Sequence, residues 1–368
     1  MKHRYQHVSL AGICIGLLAA AVVLAMTRPA GKSIGYGPML SECDGRIRSV
    51  AIQYVHGATF ALPVYRQFLG VLPRDVKVYA ICPDQASVNE LRFALGAESD
   101  RLTEIVTGHA MTAWSRDRWI SLEAGPGESA GTLVAPGAEN GAEIWPQRQG
   151  DQRIAQDLAR AIGKQSLRSG LYFDGGDLLA DSRSVFVAPG AITRNLQHTC
   201  ADQAELKAML RRQLGCEPIL LPDAPDHHVG MFMMAAGNGR VMVSDPSLAK
   251  SLFAPIELPG GADFSSATER RFDSVAAAAA QAGYRVMRIP CVPSADGKTY
   301  VTYVNGIIDQ RDGTRTIYMP VYRGQDRLNA AGAAAWRELG YRVVPIDVTS
   351  AFRLFGTLHC LVNVVEKD

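Results

Sequence analysis

Hydrophobic and polar positions along this chain recur in two registers, one short and continuous, the other helical. The short type is a β-branched and aromatic run that closes on proline. It occurs at 131–136 (GTLVAP), 184–189 (SVFVAP), 240–246 (RVMVSDP) and 316–320 (TIYMP). Such runs suit buried strands, and the proline with its Gly or Asp neighbours suits their end. A further strand candidate precedes each, at 119–123, 178–180, 229–235 and 300–308. The helical type shows at 151–162, where Ile154, Leu158 and Ile162 share one face. Helices are also predicted at 202–214, 266–282 and 324–339, from good helix formers with a glycine at the end. After two of these the same strand is echoed, GYRVMRIP at 283–290 and GYRVVPID at 340–347, with a looser copy at 215–222. The unit therefore reads strand, turn, strand, loop, helix, strand, returning after roughly 55–75 residues. An earlier, weaker unit holds 50–55, 76–82 and a helix around 60–70. Five such units between about residue 45 and the C-terminus predict an α/β fold. The paired GYRV segments favour true repetition over a generic alternation of strands and helices.

The N-terminus breaks the pattern. Lys2 and Arg4 precede an uncharged, mostly apolar stretch at 10–26, and Arg28 and Lys32 follow it. Its 17 residues are long for a signal core of about 7–15 and short for a span of about 20. The reading is an apolar helix over residues 1–32 acting as a membrane anchor, with a cleaved signal peptide as the alternative. Either places the remainder outside the cytoplasm, periplasmic or extracellular. A linker at 33–44 and one catalytic domain at 45–368 complete the expected organisation. Beyond residue 32 the chain carries 34 basic and 36 acidic residues with no basic run. That excludes a nucleic-acid surface, which needs clustered Lys and Arg. Cys14, Cys43, Cys82, Cys200, Cys216, Cys291 and Cys360 form no C-x-x-C pair, so no structural zinc is expected. A disulfide, for example Cys200 with Cys216, is open in an oxidising compartment.

Four separated segments carry chemistry: WSRDRW at 114–119, FDGGD at 173–177, DHHVG at 226–230 and GTLHCLVN at 356–363. In order they supply a carboxylate, a carboxylate pair, a histidine and a cysteine. A guanidinium is a planar cation whose N–H groups point outward in a fork, and carboxylates match that fork with charge-assisted bonds. Asp117 and Asp174 are the candidates for this grip, with Asp177 in reserve. The central carbon of a guanidinium is a poor electrophile, so a thiolate is needed to attack it. Cys360 fits that role, and His228 fits the acid and base that protonates the leaving nitrogen and activates water. His227 and His359 are set aside, because neighbours on a strand face opposite ways.

The arrangement resembles the guanidine-modifying, or pentein, superfamily, above all agmatine and peptidyl-arginine deiminases. The C-terminal Gly356-x-x-His359-Cys360-x-x-Asn363 is similar to their nucleophile motif, and Trp114-x-Arg116-Asp117 to the agmatine deiminase carboxylate motif. Asp174-Gly175-Gly176-Asp177 is similar to their Glu-Gly-Gly pattern with Asp for Glu. The resemblance implies a five-bladed pseudo-symmetric α/β propeller with a central site. It implies a deiminase acting on arginine, an agmatine-like amine or peptidyl-arginine, releasing ammonia through a covalent cysteine intermediate. No metal or cofactor is implied. Trp114, Arg116 and Asn363 join Asp174 and Asp177 as expected substrate-binding residues.

One departure matters. Where the family has His-x-Asp, this chain has His228-Val229-Gly230. If 228 and 230 share a strand face, one guanidinium contact is missing, a loss of about 1.5–3 kcal/mol. Asp226, on the same predicted face, is the candidate replacement. An N-substituted guanidine with fewer donors would also suit the gap. The rival reading is a non-catalytic pentein that binds arginine-like ligands or acts as a structural or interaction protein, and an amidinotransferase is a third. A cysteine peptidase is disfavoured, since none of the local signatures of such enzymes is present.

Overall fold

A computed structural model describes residues 37–125, 131–139 and 146–368. The apolar run at 10–26 and its predicted helix lie outside the described residues. From residue 37 the expected linker is not free chain. Met39 is 2% exposed and bridges to Leu122, and Lys367 Nζ donates to the carbonyls of Ser41 and Glu42. The buried apolar side chain and these bonds tie the segment into the body.

Five small sheets repeat one plan: two antiparallel strands, an intervening helix, and a third strand parallel to the second. Ile120–Leu122, Thr132–Ala135 and Gln165–Arg168 form one sheet. Leu178–Ala180, Ser184–Val187 and Glu217–Leu220 form the next. Met233–Ala235, Arg240–Asp245 and Arg285–Pro290 follow, then Ile307–Arg311, Thr314–Val321 and Arg342–Asp347. The fifth sheet of this plan is built from both ends of the chain. Val362–Lys367 pairs antiparallel with Ile47–Gln53, which runs parallel to Lys77–Cys82, and Leu102–Val106 extends the edge. Among the described residues the sheets stay separate and form no single closed sheet.

The predicted helices are present as Leu62–Val71, Ile154–Ile162, Gln203–Leu214, Ser266–Gln281 and Asp326–Glu338. Asp202 caps Gln203–Leu214 by accepting from Glu205 N at 2.9 Å, and Gly215 ends it in the left-handed region at φ 63°. Ser266–Gln281 buries Phe272, Val275 and Ala279.

Two predicted strands are broken, and both breaks matter for the site. Residues 229–235 are not one strand: Val229–Met231 is a 3-10 turn, and only Met233–Ala235 is extended. Residues 300–308 divide into Tyr300–Val301 and Ile307–Arg311, leaving 302–306 as a loop. That loop is clamped from two sides. Tyr322 OH accepts from Thr302 N at 3.0 Å and donates to Thr302 O at 2.9 Å, while buried Trp336 donates from Nε1 to Tyr303 O at 2.8 Å. Cys200 and Cys216 are both buried free thiols, so the disulfide contemplated between them is not made. Cys200 Sγ instead lies 3.5 Å from Met209 Sδ.

Candidate active site

Cys360 sits on a single helical turn, Leu358–Leu361, just before the last strand. The turn is fixed from several directions. Asn305 Oδ1, from the clamped loop, accepts from Thr357 Oγ1 at 2.6 Å and from His359 N at 3.1 Å, and lies 3.5 Å from Cys360 Sγ. Arg116 N donates to Cys360 O at 3.2 Å, and Tyr65 OH donates to Leu361 O at 3.2 Å. Gly356 is required by a close approach. A Cβ there would lie 2.5 Å from the Trp114 ring. Trp114 thus packs on the nucleophile turn, and its ring centroid is 5.5 Å from that of Phe60.

The Gly-Gly pair is explained the same way. A Cβ on Gly175 would meet Arg116 O at 2.3 Å, and one on Gly176 would meet the His228 ring at 2.5 Å. The missing side chains let the WSRDRW segment, the FDGGD turn and the histidine close on one another. Gly175 N donates to Asp117 O at 2.6 Å, and Asp177 Oδ2 accepts from Asp174 N at 2.8 Å.

Cys360, His228, Asp117 and Trp114 open on one cavity of about 610 Å³, together with His227 and Arg148. Asp174 and Asp177 line an adjoining recess of about 370 Å³ that shares His227 and His228 with it. Asp174 Oδ2 lies 3.7 Å from His228 Nε2. Asp117, His228 and Cys360 therefore share one cavity, with Asp174 and Asp177 in the recess beside it.

Their charges are held by a dense set of ion pairs. Arg148 reaches across with Nη1 on Asp117 and Nη2 on Asp174 at 2.9 Å. Arg118 pairs with Glu139 and lies 3.4 Å from Asp174, and Arg194 pairs with Asp177. Burial alone would raise the Asp174 carboxyl, but His228, Arg148, Arg194 and Arg118 reverse it and hold it far below the usual carboxylate range. Burial opposes protonation of His228 too, yet Asp174, Cys360, Asp177 and Asp117 keep it protonated well above the ordinary imidazole value. His227 goes the other way: burial and the His228 charge push it down to about 3. It accepts from His228 N at Nδ1, 2.7 Å away.

Several placements differ from the sequence reading. Arg116 and Asn363, expected as substrate contacts, are buried and do not line the cavity. Arg116 Nη1 donates to Asn363 Oδ1 at 3.0 Å, Nη2 donates to Leu178 O at 3.1 Å, and the same group pairs with buried Glu42. Asn363 Nδ2 donates to Ser115 O and Trp119 O. Burial with internal partners makes both residues framework. Asp226 is exposed and lines the adjoining recess, away from Cys360, because residues 226–230 form no strand to align it with position 230. The strand argument for Gly230 fails with it. A Cβ there would point to Asn305 Nδ2 at 3.1 Å and His359 Nδ1 at 3.6 Å, beneath the thiol. His359, buried and 3.2 Å from Glu42 Oε2, belongs to that lower layer. Asn305, Arg148, Arg118, Arg194 and Glu139 were not anticipated. Among the described residues no group of three or more His, Cys, Asp or Glu could hold a metal ion.

The chain matches the model of the Porphyromonas-type peptidyl-arginine deiminases over residues 54–364. No curated protein matched it. Among solved structures, the agmatine deiminase of Enterococcus faecalis is similar with a TM-score of 0.68 at 14% identity, covering 90% of this chain and 96% of that one. The C. jejuni agmatine deiminase is similar with a TM-score of 0.65 at 14% identity and the same coverage. At such identity these structures speak for the α/β fold, while the family match spans all four motif segments. The chain belongs to the Porphyromonas-type peptidyl-arginine deiminase family.

Proposed function

We propose that the chain is a cysteine-dependent hydrolase that deiminates a guanidinium of the arginine type. The observation that carries this reading is the convergence of Cys360, His228 and Asp117 on one cavity, with Asp174 against the imidazole. Asp117 grips the guanidinium and orients its carbon toward Cys360. The thiolate adds to that carbon, and the C–N bond to one terminal nitrogen breaks as His228 gives that nitrogen a proton. Ammonia leaves and an amidino-thioether remains on Cys360. His228, now neutral, takes a proton from water as the water attacks the same carbon. The C–S bond then breaks, the thiolate is restored and a ureido product departs. Asp174 holds His228 in its protonated form for the first half. Asn305 fixes the turn that carries the thiol. The five sheets of one plan are read as blades around this site. The apolar run at 10–26 with its flanking charges supports export of the domain, anchored or cleaved.

The rival reading is a pentein that binds guanidinium compounds without turning them over. One assay separates the two. The protein is incubated with arginine, agmatine, methylarginine and an arginine peptide, and ureido product and ammonia are measured. Turnover of any of them supports the hydrolase. Silence on all four, with Cys360 unlabelled by a haloacetamidine, favours the binding module.

A further inference from the structure

We propose that Arg148 is a specificity-determining residue: its guanidinium occupies the Asp117–Asp174 fork, and only a guanidinium carried on an apolar body displaces it effectively. The inference rests on the guanidine-hydrolase reading of the site. The chain places a guanidinium of its own where that reading needs the substrate's. Arg148 meets Asp117 with one terminal nitrogen and Asp174 with the other, and its side chain is only 15% exposed. The other cations of the site reach Asp174 but not Asp117: Arg118 pairs with Glu139 and lies 3.4 Å from Asp174, and Arg194 pairs with Asp177 and Glu139 and lies 3.8 Å from Asp174. Arg148 has one further acid near it, Asp151 at 3.8 Å. Among the described residues its withdrawal would leave Asp117 without an ion-pair partner and ready for a guest cation.

A guest must therefore compete with a tethered copy of its own head group. Such a group acts at an effective concentration on the order of millimolar. The apparent affinity of any guest falls by the fraction of sites that are open. A bare guanidinium has nothing further to gain. The rest of the cavity tells which guests do. Its walls include the Phe60–Trp114 pair and Met111, and Leu354 and Phe355 stand on the rim with about half their surface exposed. Among the described lining residues Asp117 is the one acid, so the distal ammonium of an agmatine-like guest gains no second carboxylate from them. An apolar body would lose water contact along these walls, which favours binding in proportion to area. The cavity, at about 610 Å³, has the size that takes ligands of several hundred Å³ rather than a short alkylguanidine. The substrate class is thus a guanidinium beside an aromatic or aliphatic group, such as an arginine with an apolar neighbour.

The test is a calorimetric titration of the full-length chain carrying Cys360→Ser, with and without Arg148→Gln or Arg148→Ala. The probes are methylguanidine, agmatine and 2-phenylethylguanidine, with methylammonium as a charge control. With Arg148 present, phenylethylguanidine should bind about tenfold or more tighter than the other two guanidines. Either Arg148 substitution should tighten methylguanidine by about tenfold or more, with methylammonium changing less than about threefold. A second readout is the ratio of Cys360 alkylation by chloroacetamidine to that by neutral iodoacetamide, taken within each protein otherwise wild type. That ratio should rise in Arg148→Gln. Unchanged or weaker methylguanidine binding, an equal gain for methylammonium, or agmatine matching phenylethylguanidine would overturn the inference. If no guanidine bound better than methylammonium to any form, the guanidine reading itself would fall.

Discussion

Arg116 and Arg148 both pair with carboxylates close to Cys360, and they are held in opposite ways. Arg116 is 5% exposed and spends its bonds on Glu42, Asn363 and the Leu178 carbonyl, none of which lines the large cavity. Arg148 spends its bonds on Asp117, which lines the large cavity, and on Asp174, which lines the recess beside it. The first arginine is framework and the second is exchangeable. The difference teaches that a charge pair in a site is read by what its partners face. A partner enclosed by protein fixes structure, and a partner on a cavity wall is available to a ligand.

The largest effect that sharpens this comparison lies above both arginines. Cys360→Ala should lower ureido formation by about 10⁴-fold or more while leaving guanidinium binding in place. Product assay and calorimetry on the same preparation would check both halves.

Next comes the framework layer. Glu42→Gln leaves Arg116 a buried charge without its ion partner, and should destabilise the fold by about 3–5 kcal/mol in denaturant unfolding. The same layer predicts an acid limb. Burial would raise the Glu42 carboxyl, but Arg116 and His359 bring it down to about 2 from 4.5. Its contribution is present above the unfolded value and is lost as pH falls from about 4.5 toward 2, on the order of 3 kcal/mol. Unfolding free energies measured at intervals across that window should decline for the natural chain and less steeply for Glu42→Gln.

The exchangeable layer should respond more mildly. Asp117→Asn removes one charge-assisted bond to the guest, about 1.5–3 kcal/mol, or roughly ten- to a hundred-fold in affinity. A stability change as large as that of Glu42→Gln would instead place Asp117 in the framework. The smallest effect is at Gly230. Gly230→Ala sets a methyl 3.1 Å from Asn305 Nδ2, so Asn305 must give by a few tenths of an ångström. A cost near 1 kcal/mol is expected, with a measurable shift in kcat, because Asn305 holds the nucleophile turn.

Much of this was legible in the sequence, for identifiable reasons. The repeated strand and helix units follow from local periodicity, and the GYRV echoes fall on the parallel strands Arg285–Pro290 and Arg342–Asp347. Asp117, Asp174, His228 and Cys360 lie in compact motifs, and they converge. What escaped is non-local. Nothing near residue 47 announces a partner at the far end of the chain, yet Ile47–Gln53 pairs with Val362–Lys367. Glu42 stood in an expected linker, and only its tertiary partners bury it. Asn305 lay inside a run read as continuous strand, although the Asn305-Gly306 dipeptide is a turn signal that argued against it. Arg148 sits in a short polar helix, Pro146–Asp151, with no motif around it. Its reach to Asp174 is a property of the folded site alone.

The central claim is that the Cys360 sulfur forms a covalent bond to a guanidinium carbon held by Asp117. Mass spectrometry of the full-length protein, acid-quenched during turnover of an arginine-type substrate, tests it most directly. The account predicts an amidino adduct on the peptide containing Cys360 that forms and decays as ureido product appears, and that is absent from Cys360→Ala. Ureido product accumulating with Cys360 unmodified, or undiminished in Cys360→Ala, would contradict it.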